Sequence, residues 1–416
     1  MKAVITAGGK GRRIASLFPD IPKPMICIAG KPVLLHTVEA LRESGVTDII
    51  ITLGYKSDVI KSYFSDGRQL GVNVSYFEET EPLGNAGALL KMKDRLTENF
   101  LLINGDLIFD IDFGRLLDFH KSHGGTVTLF THPNSHPYDS TVIFCDDNGR
   151  AAALYDSGEV RPEYVKNRVN AGIHVLSPEA LSVTSKDKVN LDTDIIKPLI
   201  KSGKVFCYDS TEYVRDMGTQ ERFAAVERDV ISLLPQKRNL KNKQKAIFLD
   251  RDGTLNRYDG FITKAERLVL NENAAQAVKM INESGYLAVV ITNQPVIARG
   301  EATTAQLEEI HNRLETLLGD NGAYLDGIFY CPHHPDGGFA GEVKELKTDC
   351  LCRKPKPGLF FTAAEKFNID LSSSFMIGDS ENDMKAAENA GCRGIKISTD
   401  GDILRAVKTA LTDCVK

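Results

Sequence analysis

The chain has 416 residues, of which 42% are hydrophobic and 26% charged, so it is long enough for two or three separately cored domains. Its formal net charge of -5 excludes a general attraction to nucleic acid or to an anionic membrane, so any phosphate binding must come from local sites. No run approaches the roughly 20 apolar residues that span a bilayer, and the start reads as a strand rather than a signal peptide. We expect a cytoplasmic protein of two domains whose partners are small molecules.

The first half of the chain alternates short β-branched runs with amphipathic segments, which is typical of an α/β domain with a largely parallel sheet. Residues 3–6, 48–53 and 100–104 have the pattern of buried strands. Apolar residues recur at helical spacing over 33–41, and Gly45 stands where a helix C-cap is expected.

A glycine-rich loop follows the first predicted strand. Residues 7–13 read Ala-Gly-Gly-Lys-Gly-Arg-Arg, and the glycines let backbone N–H groups approach a phosphate closely. Arg13 and the later Lys23 can neutralise that phosphate. Taken alone, a glycine-rich loop is a weak signal, because some such loops are only tight strand-to-helix connections.

Further short motifs follow in order. They read Pro-Lys-Pro-Met at 22–25, Pro-Leu-Gly-Asn-Ala-Gly at 82–87, Asn-Gly-Asp at 104–106, Asn-Ala-Gly at 170–172 and Asp-Met-Gly-Thr at 216–219. With the glycine loop, this order resembles the sugar-1-phosphate nucleotidyltransferase family over nearly all of residues 1–228. The resemblance implies a Rossmann-like domain with a mixed sheet, over residues 1–230. Such a domain transfers a nucleotidyl group from a nucleoside triphosphate to a sugar 1-phosphate and releases pyrophosphate.

The resemblance also assigns roles to residues. It implies that Arg13 and Lys23 are catalytic and grip the triphosphate, and that Asp106 and Asp216 hold Mg²⁺. The Glu-Lys pair usual before the Asn-Ala-Gly motif is not evident, which leaves Lys166 as the candidate lysine for the sugar phosphate. The residues predicted to bind the nucleotide are Ala7, Gly8, Gly9, Gly11, Gly84, Asn85 and Asp106, and those predicted to line the sugar pocket are Asn170 and Gly172.

Residues 231–244 separate the two halves of the chain. They are rich in Lys, Arg, Asn and Gln, which is typical of a solvated connection. A nucleic-acid patch is the other interpretation of the charge, but the cluster is short and lacks interleaved aromatic residues. We interpret the segment as a linker before a second domain over 245–416.

The second α/β pattern has predicted strands at 246–249, 287–291 and 375–377. The first of these strands ends in two carboxylates, Asp250 and Asp252, that are separated by one residue. One carboxylate can attack phosphorus, while the other protonates the leaving alcohol and later activates water.

Three more residues complete this pattern, namely Thr292 at a strand end, Lys354 before a proline and Asp379 after a glycine. Together they resemble the haloacid dehalogenase superfamily. The resemblance implies a Rossmannoid domain in which Asp250 is the nucleophile and Asp252 the acid/base, with Thr292 and Lys354 at the phosphoryl group. It also implies Mg²⁺ bound by Asp250, Asp379 and the main-chain carbonyl of Asp252.

Cysteines cluster in the same domain. Cys331 and His333 form a Cys-x-His motif, and Cys350 and Cys352 form a Cys-x-Cys motif, as in the two halves of a structural zinc site. Buried thiols beside a surface histidine are the other interpretation. We predict a zinc site with these four ligands, in which resemblance favours His333 over His334.

The zinc motif, together with Thr-Asn-Gln at 292–294 and Ala-Arg-Gly at 298–300, narrows the resemblance. Over about residues 245–400 the chain resembles D-glycero-D-manno-heptose 1,7-bisphosphate phosphatases and their histidinol-phosphate phosphatase relatives. The residues predicted to bind substrate in this domain are Asn256, Asn293, Gln294, Arg299 and Arg353.

Both resemblances together predict a two-domain enzyme that uses Mg²⁺ in both domains and structural Zn²⁺ in the second. The second domain would convert heptose 1,7-bisphosphate to heptose 1-phosphate, and the first would transfer GMP from GTP to that product, giving GDP-heptose. One alternative is a transferase for another sugar, such as mannose 1-phosphate, joined to a histidinol-phosphate-like phosphatase. Another is an N-terminal domain that senses a nucleotide sugar without catalysis. A homo-oligomer is compatible with the sequence.

Overall fold

The computed structural model describes residues 1–9, 14, 17–146 and 148–413. The chain forms two compact units. The N-terminal unit consists of Met1–His132, Ile143–Leu154 and Asn170–Asn239. The C-terminal unit consists of Pro133–Val142, Tyr155–Val169 and the chain from Leu240 onward. Two segments from the first half of the sequence therefore belong to the C-terminal unit.

The first half of the chain carries thirteen described strands and seven described α-helices. The strands are Lys2–Thr6 (β1), Cys27–Ile28 (β2), Lys31–Pro32 (β3), Asp48–Leu53 (β4), Asn73–Glu78 (β5), Phe100–Asn104 (β6), Leu107–Asp110 (β7), Val127–His132 (β8), Val142–Cys145 (β9), Ala151–Tyr155 (β10), Val169–Leu176 (β11), Val205–Asp209 (β12) and Tyr213–Asp216 (β13). The helices are Val33–Glu43 (α1), Ser57–Phe64 (α2), Gly87–Lys91 (α3), Phe113–His123 (α4), Lys197–Lys201 (α5), Gln220–Ile231 (α6) and Leu234–Arg238 (α7).

The main sheet has the strand order β10-β9-β11-β6-β1-β4-β5. β1 pairs in parallel with β4 and β6, whereas β11 runs antiparallel to β6, so the sheet is mixed as expected. The register places Thr6 beside Thr52 and Asn104, at the carboxyl ends of three parallel strands. In open α/β sheets, ligands bind beyond these ends.

Alternate residues of the central strands enter different hydrophobic cores. Ala3 and Ile5 of β1 pack in one cluster with Val38 of α1, whereas Val4 packs in the other with Leu102. Both faces of the sheet are buried, which explains why these strands read as continuous apolar runs. The predicted helix is confirmed as α1, and Gly45 follows its end with a φ of 83°.

The C-terminal unit is a parallel α/β unit. Its strands from the second half of the chain are Ala246–Leu249 (β14), Leu287–Asn293 (β15), Gly327–Cys331 (β16), Phe375–Gly378 (β17) and Arg393–Lys396 (β18). Its helices are Ala274–Ser284 (α8), Thr304–Gly319 (α9), Gly358–Phe367 (α10), Glu381–Ala390 (α11) and Ile403–Thr412 (α12). The strand order is β16-β15-β14-β17-β18, so the chain builds the sheet outward from β14 first to one side and then to the other. A crevice forms at the carboxyl end of β14, where such a switch occurs, and ligands are expected to bind there.

The connection predicted at 231–244 is not a bare solvated chain, and this corrects the interpretation of its composition. It contains α7, and Leu234 and Leu240 are buried. Arg238 is buried as well, and its Nε donates to the carbonyl of Thr211 at 3.1 Å. No helix in the described part of the chain is long and apolar enough to cross a membrane.

Candidate active sites and metal cluster

A cavity of about 950 Å³ opens at the carboxyl ends of β1, β4 and β6. The predicted nucleotide-binding residue Gly11 and the predicted catalytic residue Arg13 lie outside the described residues. The structure brings together the other predicted residues on the cavity wall, namely Ala7, Gly8, Gly9, Lys23, Gly84, Asn85 and Asp106. The cavity therefore combines glycine backbone and a cation, which can bind phosphate, with a carboxylate, which can hold a divalent metal ion.

Two predicted metal-binding carboxylates lie at one end of the separate two-stranded sheet β7–β13. Asp106 precedes β7, and antiparallel pairing places Asp216 of β13 opposite Leu107. Asp106 forms an ion pair with Lys23, whereas Asp216 accepts from Arg222 Nη1 at 3.1 Å. Carboxylate oxygens are the donors that Mg²⁺ prefers, so this pair fits the predicted metal.

The two predicted sugar-pocket residues lie on β11 and outside the described cavity wall. Asn170 Oδ1 accepts from the N–H of Gly172 at 3.1 Å and lies 2.9 Å from Nε2 of His174. Gly172 has a φ of 77°, and a Cβ there would overlap the side-chain amide of Asn104. This glycine therefore lets β11 approach the end of β6 closely.

Among the residues of the cavity wall that the sequence did not point to are Glu79 and Lys188. Glu79 follows β5, where burial raises the pKa of its carboxyl, and its Oε2 accepts from the N–H of Leu83 at 3.3 Å. Lys188 also lines the wall. A backbone bridge between Gly84 and Val189 brings it there, and no sequence pattern announces such a bridge.

Lys166, the candidate lysine for the sugar phosphate, belongs to the C-terminal unit. Its segment is anchored to α9. The N–H of Val165 donates to Thr316 Oγ1 at 2.9 Å, and the buried side chains of Arg168 and Glu315 form an ion pair at 3.4 Å.

An acidic cluster lies at the carboxyl ends of β14 and β17. Asp250, Asp379 and Asp383 each offer a carboxylate oxygen, and these oxygens lie within 4.8 Å of one another. Lys354 Nζ lies 2.8 Å from Asp250 and 2.5 Å from Asp383, and it also donates to the carbonyl of Ile291. Three carboxylates around one ammonium fit a hard divalent cation such as Mg²⁺.

Burial and pairing set the charge states in this cluster. Burial raises the pKa of Asp250 to about 7, against the lowering effect of Lys354. Burial lowers the pKa of Lys354, but Asp250 and Asp383 more than offset this effect, so its pKa is raised overall. The ammonium therefore stays charged beside the predicted nucleophile.

The Asp252 carboxylate lies outside the described three-residue acidic cluster. It accepts from Arg251 Nη2, from Asn256 Nδ2 at 3.0 Å and from Gln294 Nε2 at 2.9 Å. Burial alone would raise the pKa of Asp252, but these three partners together lower it by more, so its pKa lies below the usual value. Asp252 is therefore ionised in the free protein and must take up a proton before it can act as the predicted acid.

Other predicted residues contact protein groups that hold this site in place. Thr292 Oγ1 lies 3.0 Å from Gln294 Nε2. Asn293 exchanges two hydrogen bonds with the backbone of Lys354, at 3.0 and 3.1 Å. Arg353 donates to the carbonyl of His333 at 3.2 Å and so joins the lysine segment to the cysteine cluster.

Arg299, predicted to bind substrate, is held between two aromatic rings. Its guanidinium lies 4.6 Å from the ring centre of Phe261 and 4.2 Å from that of Phe339. It also forms an ion pair with Glu301 at 2.6 Å. The described contacts immobilise this cation at the surface of the unit.

The four predicted zinc ligands lie together. Cys350 Sγ is 3.5 Å from Cys331 Sγ and 3.2 Å from Cys352 Sγ. His333 Nδ1 is 3.6 Å from Cys331 Sγ and 3.3 Å from Cys352 Sγ. His334 instead accepts from the backbone N–H of Asp336. Three sulfurs and one imidazole nitrogen are a donor set that fits tetrahedral zinc.

Comparison with known families gives two matches. The nucleotidyl transferase family model matches residues 2–232, which is more than half of the chain. The HAD-hydrolase-like family model matches residues 351–408, which include Lys354, Asp379 and Asp383.

Curated relatives match the N-terminal half. Mannose-1-phosphate guanyltransferase 2 of Candida glabrata is 33% identical over 233 residues, covering 54% of this chain and 63% of that protein. Mannose-1-phosphate guanyltransferase of Saccharomyces cerevisiae is 32% identical over 228 residues, with the same two coverages of 54% and 63%. The chain spans less than two thirds of the length of these relatives.

One solved structure shares the fold of the same half. A Bacillus anthracis protein described as a glucose-1-phosphate thymidylyltransferase superposes with a TM-score of 0.50 at 23% identity. The superposition covers 55% of this chain and 96% of that one.

Proposed function

This chain belongs to the nucleotidyl transferase family over residues 2–232, and from that premise we propose that it is an enzyme with two consecutive reactions. The N-terminal unit transfers GMP from GTP to a sugar 1-phosphate, and the C-terminal unit removes phosphate from a sugar bisphosphate to supply that substrate. One observation carries the proposal. The cavity at the carboxyl ends of β1, β4 and β6 gathers Lys23, Asp106 and the glycines of both predicted nucleotide motifs.

In the transfer step, an oxygen of the sugar phosphate attacks the α-phosphorus of GTP while pyrophosphate leaves in line. Lys23 and the backbone N–H groups of Gly8 and Gly9 would hold the charged oxygens. Asp106 and Asp216 would hold Mg²⁺, which neutralises phosphate charge when bound.

The cavity wall also supports the choice of guanine. Glu79 places a half-buried carboxylate on the wall, and a carboxylate only accepts hydrogen bonds when ionised. Guanine offers adjacent N–H donors on its Watson–Crick edge, whereas adenine pairs one donor with an acceptor there. The relatives named above are guanyltransferases, which agrees with this choice.

In the phosphatase step, Asp250 attacks phosphorus to form an aspartyl-phosphate, and the leaving alcohol takes a proton from Asp252. Asp252 then takes a proton from the water that releases phosphate. Lys354 stabilises the charged oxygens around Asp250. Asp250, Asp379 and Asp383 are the carboxylates available to Mg²⁺, which supplies positive charge at the phosphoryl group when bound. The Cys331, His333, Cys350 and Cys352 cluster would hold structural zinc.

For the sugar, we propose D-glycero-D-manno-heptose, with the 1,7-bisphosphate as the phosphatase substrate. Removing the 7-phosphate leaves the 1-phosphate that the transferase consumes, so the two reactions are consecutive. The resemblance of the cysteine motif and of residues 292–294 to heptose bisphosphate phosphatases supports this choice. The product is GDP-heptose, made in the cytoplasm.

Mannose 1-phosphate is the second candidate for the transferase, because the curated relatives are named for it. The transferase residues discussed above are the same for both candidates. They differ in the sugar 1-phosphate, and the second candidate joins the transferase to a histidinol-phosphate-like phosphatase.

A panel of GTP, ATP, UTP and CTP against heptose, mannose and glucose 1-phosphates, read by pyrophosphate release, tests the proposal. We expect the largest kcat/KM for GTP with heptose 1-phosphate. A preference for mannose 1-phosphate would select the second candidate. No pyrophosphate release with any pair would overturn the transferase and favour a sensor.

A further inference from the structure

Arg251 stands in the sequence between the predicted nucleophile and the predicted acid/base, and its side chain is completely buried. Its Nη2 lies 2.9 Å from both carboxylate oxygens of Asp252, and its Nε lies 3.2 Å from Oδ1. A buried guanidinium requires a well-placed anion, because removing one partner of such a pair leaves an uncompensated charge. Asp252 provides that anion.

Two amides complete the contacts of this carboxylate. Gln294 Nε2 donates to Oδ2 of Asp252 at 2.9 Å, and Asn256 Nδ2 donates to Oδ1 at 3.0 Å. Gln294 also accepts from Arg251 Nη2 at 3.1 Å, so the three side chains form a closed network. Both amides belong to buried residues, whereas the Asp252 side chain remains 22% exposed. The network therefore holds the carboxyl group on its buried side and leaves its exposed side open.

Two buried cations divide the acidic groups of the site. Lys354 pairs with Asp250 and Asp383, and Arg251 pairs with Asp252. This division keeps the Asp252 carboxylate apart from the acidic cluster that would bind the metal. A group that transfers protons must come within about 3 Å of the reacting oxygen, and a misplacement of about 1 Å can cost roughly 100-fold in rate.

We propose that Arg251 and Gln294 are positioning residues, which orient the carboxyl group of Asp252 for both of its proton transfers. The inference rests on the proposed phosphatase function. The first step begins with Asp252 protonated, by solvent or by the water of the preceding turnover. The bond from phosphorus to Asp250 then forms, the bond to the alkyl oxygen breaks, and the Asp252 proton moves to that oxygen. In the second step, water adds to phosphorus, the bond to Asp250 breaks, and the water proton moves to Asp252.

The test compares leaving groups in Gln294→Leu, which removes the amide contacts at similar volume. The probes are heptose 1,7-bisphosphate, whose alkoxide needs a proton, and 4-nitrophenyl phosphate, whose phenolate leaves without one. With the aryl ester, the variant should therefore be slow only in the second step, in which Asp252 must take a proton from water. We expect a burst of about one nitrophenolate per chain and then turnover roughly 100-fold below wild type. With the alkyl ester we expect a similar or larger loss in kcat, no burst, and a nearly unchanged KM.

Two further variants complete the design. Arg251→Lys keeps the charge but not the planar fork, so it should show the same burst with a smaller loss. Gln244→Leu changes another buried glutamine of the C-terminal unit, away from Asp252, and should keep both wild-type rates.

Wild-type kinetics in Gln294→Leu, or equal losses on both esters without a burst, would overturn the inference. If Gln294→Leu does not fold, the burst measurement on Arg251→Lys decides it by the same criteria. A wild-type protein that releases no phosphate from either ester would instead overturn the proposed function, and the inference with it.

Discussion

Lys354 is the buried cation of the acidic cluster, and its side chain is 3% exposed. In Lys354→Met, Asp250 and Asp383 lose their ammonium partner. We expect the free energy of unfolding of the C-terminal unit to fall by roughly 3–5 kcal/mol, because buried carboxylates are left uncompensated. We also expect phosphate release to fall at least about 100-fold. Urea unfolding and a phosphate assay measure the two effects.

Lys356 supplies the matched control, because it pairs with Asp349, whose side chain is 81% exposed. Lys356→Met should change stability and activity little, since exposed pairs contribute little. Similar unfolding curves for the two variants would show that the pairing of Lys354 does not stabilise the unit.

His174 links the pH to the stability of the N-terminal unit. Burial lowers its pKa to about 4, so the folded unit holds it neutral beside Asn170. The unfolded chain binds a proton near pH 6.5, so stability is retained above that pH and is lost as the pH falls toward 4. The loss reaches up to about 3 kcal/mol at about 1.4 kcal/mol per pH unit.

The variant His174→Gln should remove this part of the pH dependence while it can still donate to Asn170. Denaturant unfolding at pH 7 and pH 5 measures it. If the free energy of unfolding changed by the same amount between pH 7 and pH 5 in wild type and variant, the assignment to His174 would be contradicted.

At the residue scale, the sequence predicted what local motifs encode. Asp106, Gly8 and Gly9 meet at one cavity because each comes soon after the end of a parallel strand, and Lys23 lines the same cavity. Glu79 also follows a strand and could have been found by the same rule. Lys188 could not have been found in this way, because a backbone bridge between distant residues brings it to the cavity. The contacts of Arg251 could not have been found either, because they depend on the buried amide of Gln294.

At the element scale, the four predicted zinc ligands come from two segments, residues 331–333 at the end of β16 and residues 350–352. We expect about one tightly bound zinc per full-length chain, as three sulfurs and a nitrogen match tetrahedral zinc. His333→Ala should lower zinc content and the melting temperature of the C-terminal unit, since metal binding stabilises the fold. Metal analysis and calorimetry measure these effects.

The neighbouring His334 is the control for this prediction. Its Nδ1 contacts the backbone at Asp336, so His334→Ala should keep the zinc. Equal zinc loss in the two variants, or no zinc in gently purified wild type, would contradict the assigned ligands.

The elements themselves were largely predictable. Strands at 48–53, 100–104 and 246–249 coincide with β4, β6 and β14, because buried parallel strands have continuous apolar runs. The segment Tyr155–Val169 was not predictable, because its place in the C-terminal unit depends on the Arg168–Glu315 pair and on α9. The composition of residues 231–244 concealed α7, since a few buried apolar residues suffice to dock a short helix.

At the scale of the whole molecule, the two proposed reactions use separate carboxylates. Asp106 and Asp216 belong to the N-terminal unit, and Asp250, Asp379 and Asp383 to the C-terminal unit. Each reaction should therefore be removable alone. Asp106→Ala should still release phosphate from the bisphosphate and accumulate heptose 1-phosphate, because it loses only a ligand for the transfer step.

The most direct test of the whole account gives the full-length protein GTP and heptose 1,7-bisphosphate and measures GDP-heptose. Wild type should form it. Asp250→Asn should not, because an amide is too poor a nucleophile to begin phosphate removal, and added heptose 1-phosphate should restore the product. Formation of GDP-heptose by Asp250→Asn from the bisphosphate, or failure of heptose 1-phosphate to rescue it, would contradict the proposed order of reactions.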